Sequence, residues 1–283
     1  MLAGLTDRSW LWLAGECYLV GLLLGTWSLL RGNRQPGVLI NLIIAIGYVF
    51  QLAGLGLRGH AVGGCPLGNS FEIFQFTAWS AITLYFIVGV TFRLSLLGYF
   101  TSCLAAVLTL VSLAIPAWDA TRREHIFGGN AWIELHAALA LFSYGVFALL
   151  ALTSFMFLLR NYSLKNKRPG GGFTFLPSIM DLDHMSVRLL GTGVAIMSAS
   201  LAVGAVYWVR DIASVNPTKL LVTVAIWAAY VAALSLRLRG KLLARRFSWA
   251  CAGLFAAALL SLWPVDASRH APTVPPPARL ESR

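Results

Sequence analysis

The sequence predicts an all-α, polytopic integral membrane protein of about eight transmembrane helices, with the N-terminus and the C-terminus outside. Three observations carry that prediction. First, 58% of the 283 residues are hydrophobic and only 12% are charged, about half the charged share of a soluble domain. The mean hydropathy is +0.74. Second, the apolar residues are gathered into runs near the length of about 20 residues that a helix needs to cross a bilayer. Third, Pro, Gly and charged residues fall between the runs. Lipid cannot satisfy an irregular backbone, so such runs are helical, and they lack the alternation of barrel strands.

Each span follows from its punctuation. The first, 9–30, ends at Arg31; it is too long for a signal-peptide core and lacks a small-residue cleavage site, so it is read as a retained span. The second, 38–57, opens after Pro36 and closes at Arg58. The third, 70–91, follows Gly68-Asn69 and stops at Arg93; the fourth, 95–115, ends at Pro116. The fifth, 132–159, lies between Asn130 and Arg160, and the sixth, 187–209, ends at Arg210. The seventh, 219–236, runs from Pro217 to Arg237, and the eighth, 248–264, follows Arg245-Arg246. Residues 1–264 thus read as one transmembrane domain. Residues 265–283, with Pro272, Pro275, Pro276 and Pro277, read as a short disordered external tail.

A net charge of +11 fits a membrane protein better than a nucleic-acid partner, because Lys and Arg collect on cytoplasmic loops. With the N-terminus outside, twelve basic residues fall in cytoplasmic loops and six in external segments, the tail not counted. That asymmetry sets the orientation, and the place expected for such a multi-pass protein is the cell's inner (plasma) membrane, with the lipid bilayer as its solvent. Cys17, Cys65, Cys103 and Cys251 form no Cys-x-x-Cys pair, so neither a disulfide framework nor a zinc site is implied.

Polar residues within or beside the spans are the candidates for chemistry. Glu16 lies about two turns into the first span, where a carboxylate is costly without a partner. Glu72, Gln75 and Trp79 lie three and four residues apart and share one helical face. Glu72 reads equally as a helix cap and as a functional carboxylate. Trp132-Ile133-x-x-His136 opens the fifth span, with Tyr144 on the face of His136; a neutral imidazole at that depth can be structural or can ligate haem iron. Tyr207-Trp208 and Arg210, followed by Lys219, have membrane-interface composition and would also suit an apolar macrocycle with carboxylates.

Taken together, these pieces resemble the CcsA/CcmC/HemX-type cytochrome c assembly family. Asn69-x-x-Glu72 with Trp79 is similar to the family's Asn-x-x-Glu-Ser segment. Trp132-Ile133-x-x-His136 with Tyr144 is similar to its Trp-Leu-x-x-His helix. Leu176-Pro177-Ser178, Leu182, Arg188 and Gly191 resemble the connection into the next helix, and Gly204-Ala205, Lys219, Trp227 and Tyr230 the region of its external signature. The resemblance spans about residues 65–262. Several family features are missing: Trp208 stands where holocytochrome c synthetases have a tryptophan-rich loop, Asn216-Pro217-Thr218-Lys219 replaces Asp-Pro-Lys, and Ser235 occupies a histidine position. Of the family's usual histidines, His136 remains, as in a HemX-like or divergent member.

The resemblance implies haem handling at the outer membrane face for cytochrome c maturation. Haem b would be a transient substrate, with His136 as an axial ligand to its iron. Trp132, Trp208, Trp79, Tyr144 and Glu72 would line the site, and Arg210 and Lys219 would face the propionates. The implied partners are a ResB/CcsB-type membrane protein and apocytochrome c, with no nucleic acid, and the chain would be a subunit of a haem-attachment complex. Two alternatives stay open: a HemX-type accessory or regulator of haem biosynthesis that does not ligate haem, and a small-molecule transporter. A transporter would be supported by inverted repeats, which the sequence does not display.

Overall fold

The structure is a computed structural model and describes residues 5–31, 36–92, 95–122, 124, 130–166, 178–208 and 217–267. Within them the chain forms eight α helices: α1 (Asp7–Leu30), α2 (Gly37–Val62), α3 (Ser70–Phe92), α4 (Ser95–Ala114), α5 (Ala131–Lys165), α6 (Ile179–Trp208), α7 (Pro217–Leu238) and α8 (Ala244–Ala267). One 3₁₀ turn, Pro116–Asp119, follows α4. Five helices, α1, α2, α5, α6 and α7, hold segments long and apolar enough to cross a membrane. The molecule is a multi-pass helical membrane protein.

Where the helices exceed the predicted spans, local chemistry explains the excess. The α2 helix runs past Arg58 to Val62, because Arg58 is not a loop charge at all: its side chain is fully buried. Gly63 then ends the helix in the left-handed conformation at φ 67°, and its N–H bonds Gly59 O, a conformation that suits glycine. The α6 helix begins at Ile179, eight residues before the predicted span. The Ser178 hydroxyl accepts from Asp181 N at 3.1 Å and bonds the Asp181 carboxylate at 2.6 Å, capping the first turn. Leu182, Met185 and Leu189 are buried at helical spacing behind it. Asn130 caps α5 by accepting from Trp132 N at 3.1 Å.

The helices pack as α1–α4 and α5–α8, joined where α3 meets α5. That junction depends on Gly145. A Cβ there would come within 2.4 Å of Ser80 Cβ, and small residues are what allow membrane helices to approach so closely. Among α5–α8, Phe147 stacks on Tyr230 with ring centroids 3.7 Å apart, and Trp227 Nε1 donates to Ser198 Oγ at 2.9 Å. Glu72 and Asp119 meet Arg58 at one end of the bundle. Asp183 pairs with Arg237 at the other.

These two ends make the proposed orientation testable. Thr121 is exposed at the Arg58 end, and Lys165 is exposed at the far end of α5. In a chain with its native cysteines replaced, a membrane-impermeant maleimide added outside intact cells is expected to label Thr121→Cys and spare Lys165→Cys. The opposite pattern inverts the orientation.

Candidate functional site

The Glu72 face of α3 meets α2 at three descending levels. At the end of the bundle, Arg58 Nε donates to Glu72 Oε1 at 2.7 Å. Two turns deeper along α2, Gln51 Nε2 donates to Gln75 Oε1 at 3.0 Å. Below that, Tyr48 stacks on Trp79 with centroids 6.1 Å apart. Residues 72, 75 and 79 thus meet 58, 51 and 48 of an antiparallel neighbour, as shared-face geometry demands.

The first level is a charge cluster. Arg58 is 0% exposed and Glu72 1%. The guanidinium donates from Nη1 to Asp7 Oδ2 at 2.9 Å and to Asp119 Oδ2 at 3.2 Å, and from Nη2 to Asp119 Oδ1. Arg8 donates to Asp119 at 2.9 Å, and Arg122 to Asp7 at 2.8 Å. Three carboxylates face three guanidinium groups, so the cluster is formally neutral. Phe71 lies under both Arg8 and Arg58, at 5.5 and 5.0 Å from its ring centroid. The other Glu72 oxygen accepts from Gly68 N at 2.6 Å, and Glu72 N donates to Asn69 Oδ1 at 2.9 Å. The Asn69-x-x-Glu72 pattern is therefore an N-cap whose carboxylate also holds a buried arginine.

The second level is uncharged. Tyr18 donates to Gln51 Oε1 at 2.9 Å, and Gln75 Nε2 donates to Ser112 Oγ at 2.9 Å and Thr109 O at 3.3 Å. Tyr18, Gln51, Gln75 and Ser112 are buried, and between them they tie α1, α2, α3 and α4. In a bilayer such groups have no water to turn to. At the third level, Phe76, Phe86 and Phe142 surround Tyr48 and Trp79. The Trp79 indole N–H is buried with no hydrogen-bond partner among the described residues.

His136 belongs to another helix pair. Its Nδ1 lies 2.7 Å from Ser200 O and 3.1 Å from Ser200 Oγ. The Ser200 hydroxyl proton is committed to His136 O at 2.8 Å. Nδ1 therefore faces two acceptors and carries the proton, so in the neutral ring Nε2 holds the in-plane lone pair. Metal-ligating histidines are oriented in this way, with the distal ring N–H on a carbonyl. Among the described residues His60 and His184 are exposed, and His136 is the partly buried histidine. No three His, Cys, Asp or Glu side chains among the described residues are gathered closely enough to hold a bare metal ion. An iron already held by a porphyrin needs only the axial donor that His136 offers, so the donor chemistry fits haem.

The structure thus divides the predicted site residues. Glu72 and Trp79 turn toward α2, and His136 turns toward α6. Tyr144 is buried, near Tyr230 of α7. Trp132 is exposed at the start of α5. Arg210 lies outside the described residues, as do the side chains of Trp208, the last residue of α6, and Lys219 in α7. Sequence reasoning missed Arg58, Gln51 and Ser200. Arg58 was read as loop punctuation, although a lone arginine seven residues from Gln51 lies on one helical face with it.

The loop between α2 and α3 carries Cys65. Burial, with Glu134 and Glu72 nearby, pushes its thiol up to about 11. The thiol is thus protonated at neutral pH, and only the thiolate is a strong nucleophile. Iodoacetamide labelling of Cys65 is expected to be slow at pH 7 and to climb about tenfold per pH unit toward pH 11. Fast labelling at pH 7 would contradict this environment.

Packed helices, buried polar seams and an imidazole held through Nδ1 by a neighbouring helix define a polytopic membrane protein. Residues 67–263 match the family model described as Cytochrome C assembly protein, and the chain belongs to that family. It is 26% identical over 182 residues to Protein HemX of Bacillus subtilis (strain 168), covering 63% of this chain and 64% of that protein. It is 26% identical over 269 residues to the cytochrome c biogenesis protein CcsA of Microcystis aeruginosa, covering 76% of this chain and 79% of that protein. The CcsA of Porphyra purpurea is 25% identical over 256 residues, 72% and 78% of the two chains. The chain spans 64% and 65% of the length of the two HemX relatives, from Bacillus subtilis and Brevibacillus brevis.

Proposed function

We propose that this protein acts in cytochrome c biogenesis by holding haem b, as a transient substrate, at the outer face of the plasma membrane. The observation that carries this reading is the His136–Ser200 lock, which keeps the proton on Nδ1 and gives Nε2 the ligating lone pair. Bound haem would supply an iron for His136 to hold and two propionates for basic side chains to meet. The chain's part is to fix the imidazole plane through Ser200 and to present polar groups at the bundle end. Trp132 and Trp208 are the residues assigned to macrocycle contacts, and Arg210 and Lys219 those assigned to the propionates. In this reading a ResB/CcsB-type membrane protein and an apocytochrome c complete the reaction.

The same lock favours a second reading. Three hydrogen-bond contacts between His136 and Ser200 also pin α5 to α6, as an accessory protein without haem would require. Purification from membranes separates the two: a Soret band that co-elutes with the protein supports haem holding, and its absence after haem supplementation supports the accessory role. In the first case Trp208→Ala is expected to lower haem occupancy severalfold while insertion is unchanged. Unchanged occupancy makes Trp208 an interfacial anchor.

A further inference from the structure

The α1 helix buries one side and leaves the other open. Leu11, Ala14, Tyr18 and Ser28 are buried in the bundle, where α1 packs on α2 and α4. On the opposite side Trp12, Leu19, Leu23, Trp27 and Leu30 are exposed, as lipid-facing residues are. The exposed side of α2 is comparably apolar, with Val38, Leu42, Val49 and Leu52. What distinguishes α1 is Glu16, which is exposed in the middle of its apolar stripe.

Depth makes this carboxylate conspicuous. Asp7 fixes the start of α1 in the charge cluster, and Glu16 lies nine residues along the helix, about 13 Å deeper. The hydrocarbon core is about 30 Å thick, so Glu16 faces acyl chains near the middle of the bilayer. Ionisable residues at that depth face a bundle interior, a wet cavity or an oppositely charged group. Among the described residues Glu16 makes no hydrogen bond or ion pair. Arg8 and Arg31 are about 12 and 22 Å away along the same helix, Arg58 is committed to the end cluster, and α4 has no Lys or Arg.

We propose that the Trp12–Leu30 face of α1 docks a transmembrane helix of a partner protein that carries one Arg or Lys at mid-membrane, opposite Glu16. Charge complementarity selects this occupant. A second copy related by a two-fold axis would bring two Glu16 carboxylates together, and lipid alone leaves the charge unpaired. The apolar residues above and below provide the helix-packing surface, and the basic side chain provides register. This inference does not depend on whether His136 binds haem.

The test uses the full chain in phosphatidylcholine vesicles with biotinylated polyleucine transmembrane peptides, carrying at their centre one Arg, one Glu or only Leu. Streptavidin capture from the solubilised vesicles, quantified for this chain, reads the association. The Arg peptide is expected to capture the wild-type chain about tenfold better than the Leu peptide, in line with interhelical polar bonds in membranes, and the Glu peptide no better than Leu. Glu16→Gln should abolish the preference. Because Glu16 makes no hydrogen bond or ion pair among the described residues, this variant should keep the wild-type melting temperature, which separates loss of docking from loss of folding. Equal capture by all three peptides overturns the proposal. So does a Glu16-dependent disulfide dimer of Leu23→Cys chains, which would make the face an interface between copies.

Discussion

Replacing His136 with Ala is expected to lower haem occupancy by more than about tenfold and to shift the remaining absorption, while the protein still inserts at wild-type levels. Ala is well tolerated in a helix, and the lost bonds to Ser200 cost about 1 kcal/mol each, too little to unfold a bundle of eight helices. Packing cannot replace an axial bond to iron. Ser200→Ala is the matched control. It removes the Oγ contacts but keeps the 2.7 Å bond from Nδ1 to the main-chain carbonyl, so the imidazole stays oriented and the haem loss should be smaller. A purely structural histidine predicts a different pattern: both variants would lower the melting temperature comparably, with no spectral change. Exogenous imidazole should partly restore haem to His136→Ala alone. If that variant keeps its haem spectrum and the cell's c-type cytochromes, His136 is not the ligand and the accessory reading takes over.

The second large effect is expected at Arg58. Arg58→Ala would leave Glu72, Asp7 and Asp119 without their shared cation, and breaking a buried pair by removing one partner costs about 3–5 kcal/mol. That is enough to deplete the protein from the membrane, since domains are stable by only about 5–15 kcal/mol. Arg58→Lys should fall between, because one ammonium cannot reproduce the planar fork that serves three carboxylates on three sides. Arg58→Met combined with Glu72→Gln should recover part of the loss, since it removes the unpaired charge with its partner. Thermal unfolding in detergent, together with membrane abundance, measures the series. A wild-type melting temperature for Arg58→Ala would show that the cluster holds nothing together.

Much of the fold was legible because a bilayer imposes it. Span positions follow from run length and punctuation, and the helices begin and end near the expected residues. Misplaced boundaries fall where a helix continues as an amphipathic stretch beyond the apolar run, as at Leu182 and Met185 of α6, or where a charge is buried, as at Arg58. Hydropathy treats every arginine as a stop, but an arginine with three carboxylates around it can be interior. The shared face of Glu72, Gln75 and Trp79 was legible from spacing, but not the helix it meets. Nothing local links Gln75 to Gln51, or His136 to a serine 64 residues away. Such partners depend on tertiary placement, which one sequence does not encode in any short-range pattern.

The charge cluster also bears on what can be cut or grafted. Residues 67–263 carry the family match, and they include Glu72 and Asp119 but neither Arg58 nor Asp7. A chain trimmed to the matched stretch would retain two acids whose shared counter-ion has been discarded with α2, along with Gln75 stripped of Gln51. Homology and autonomy therefore have different borders in this protein. A fragment or chimera that respects only the first would present an acidic seam to lipid, and the smallest portable unit begins no later than Asp7.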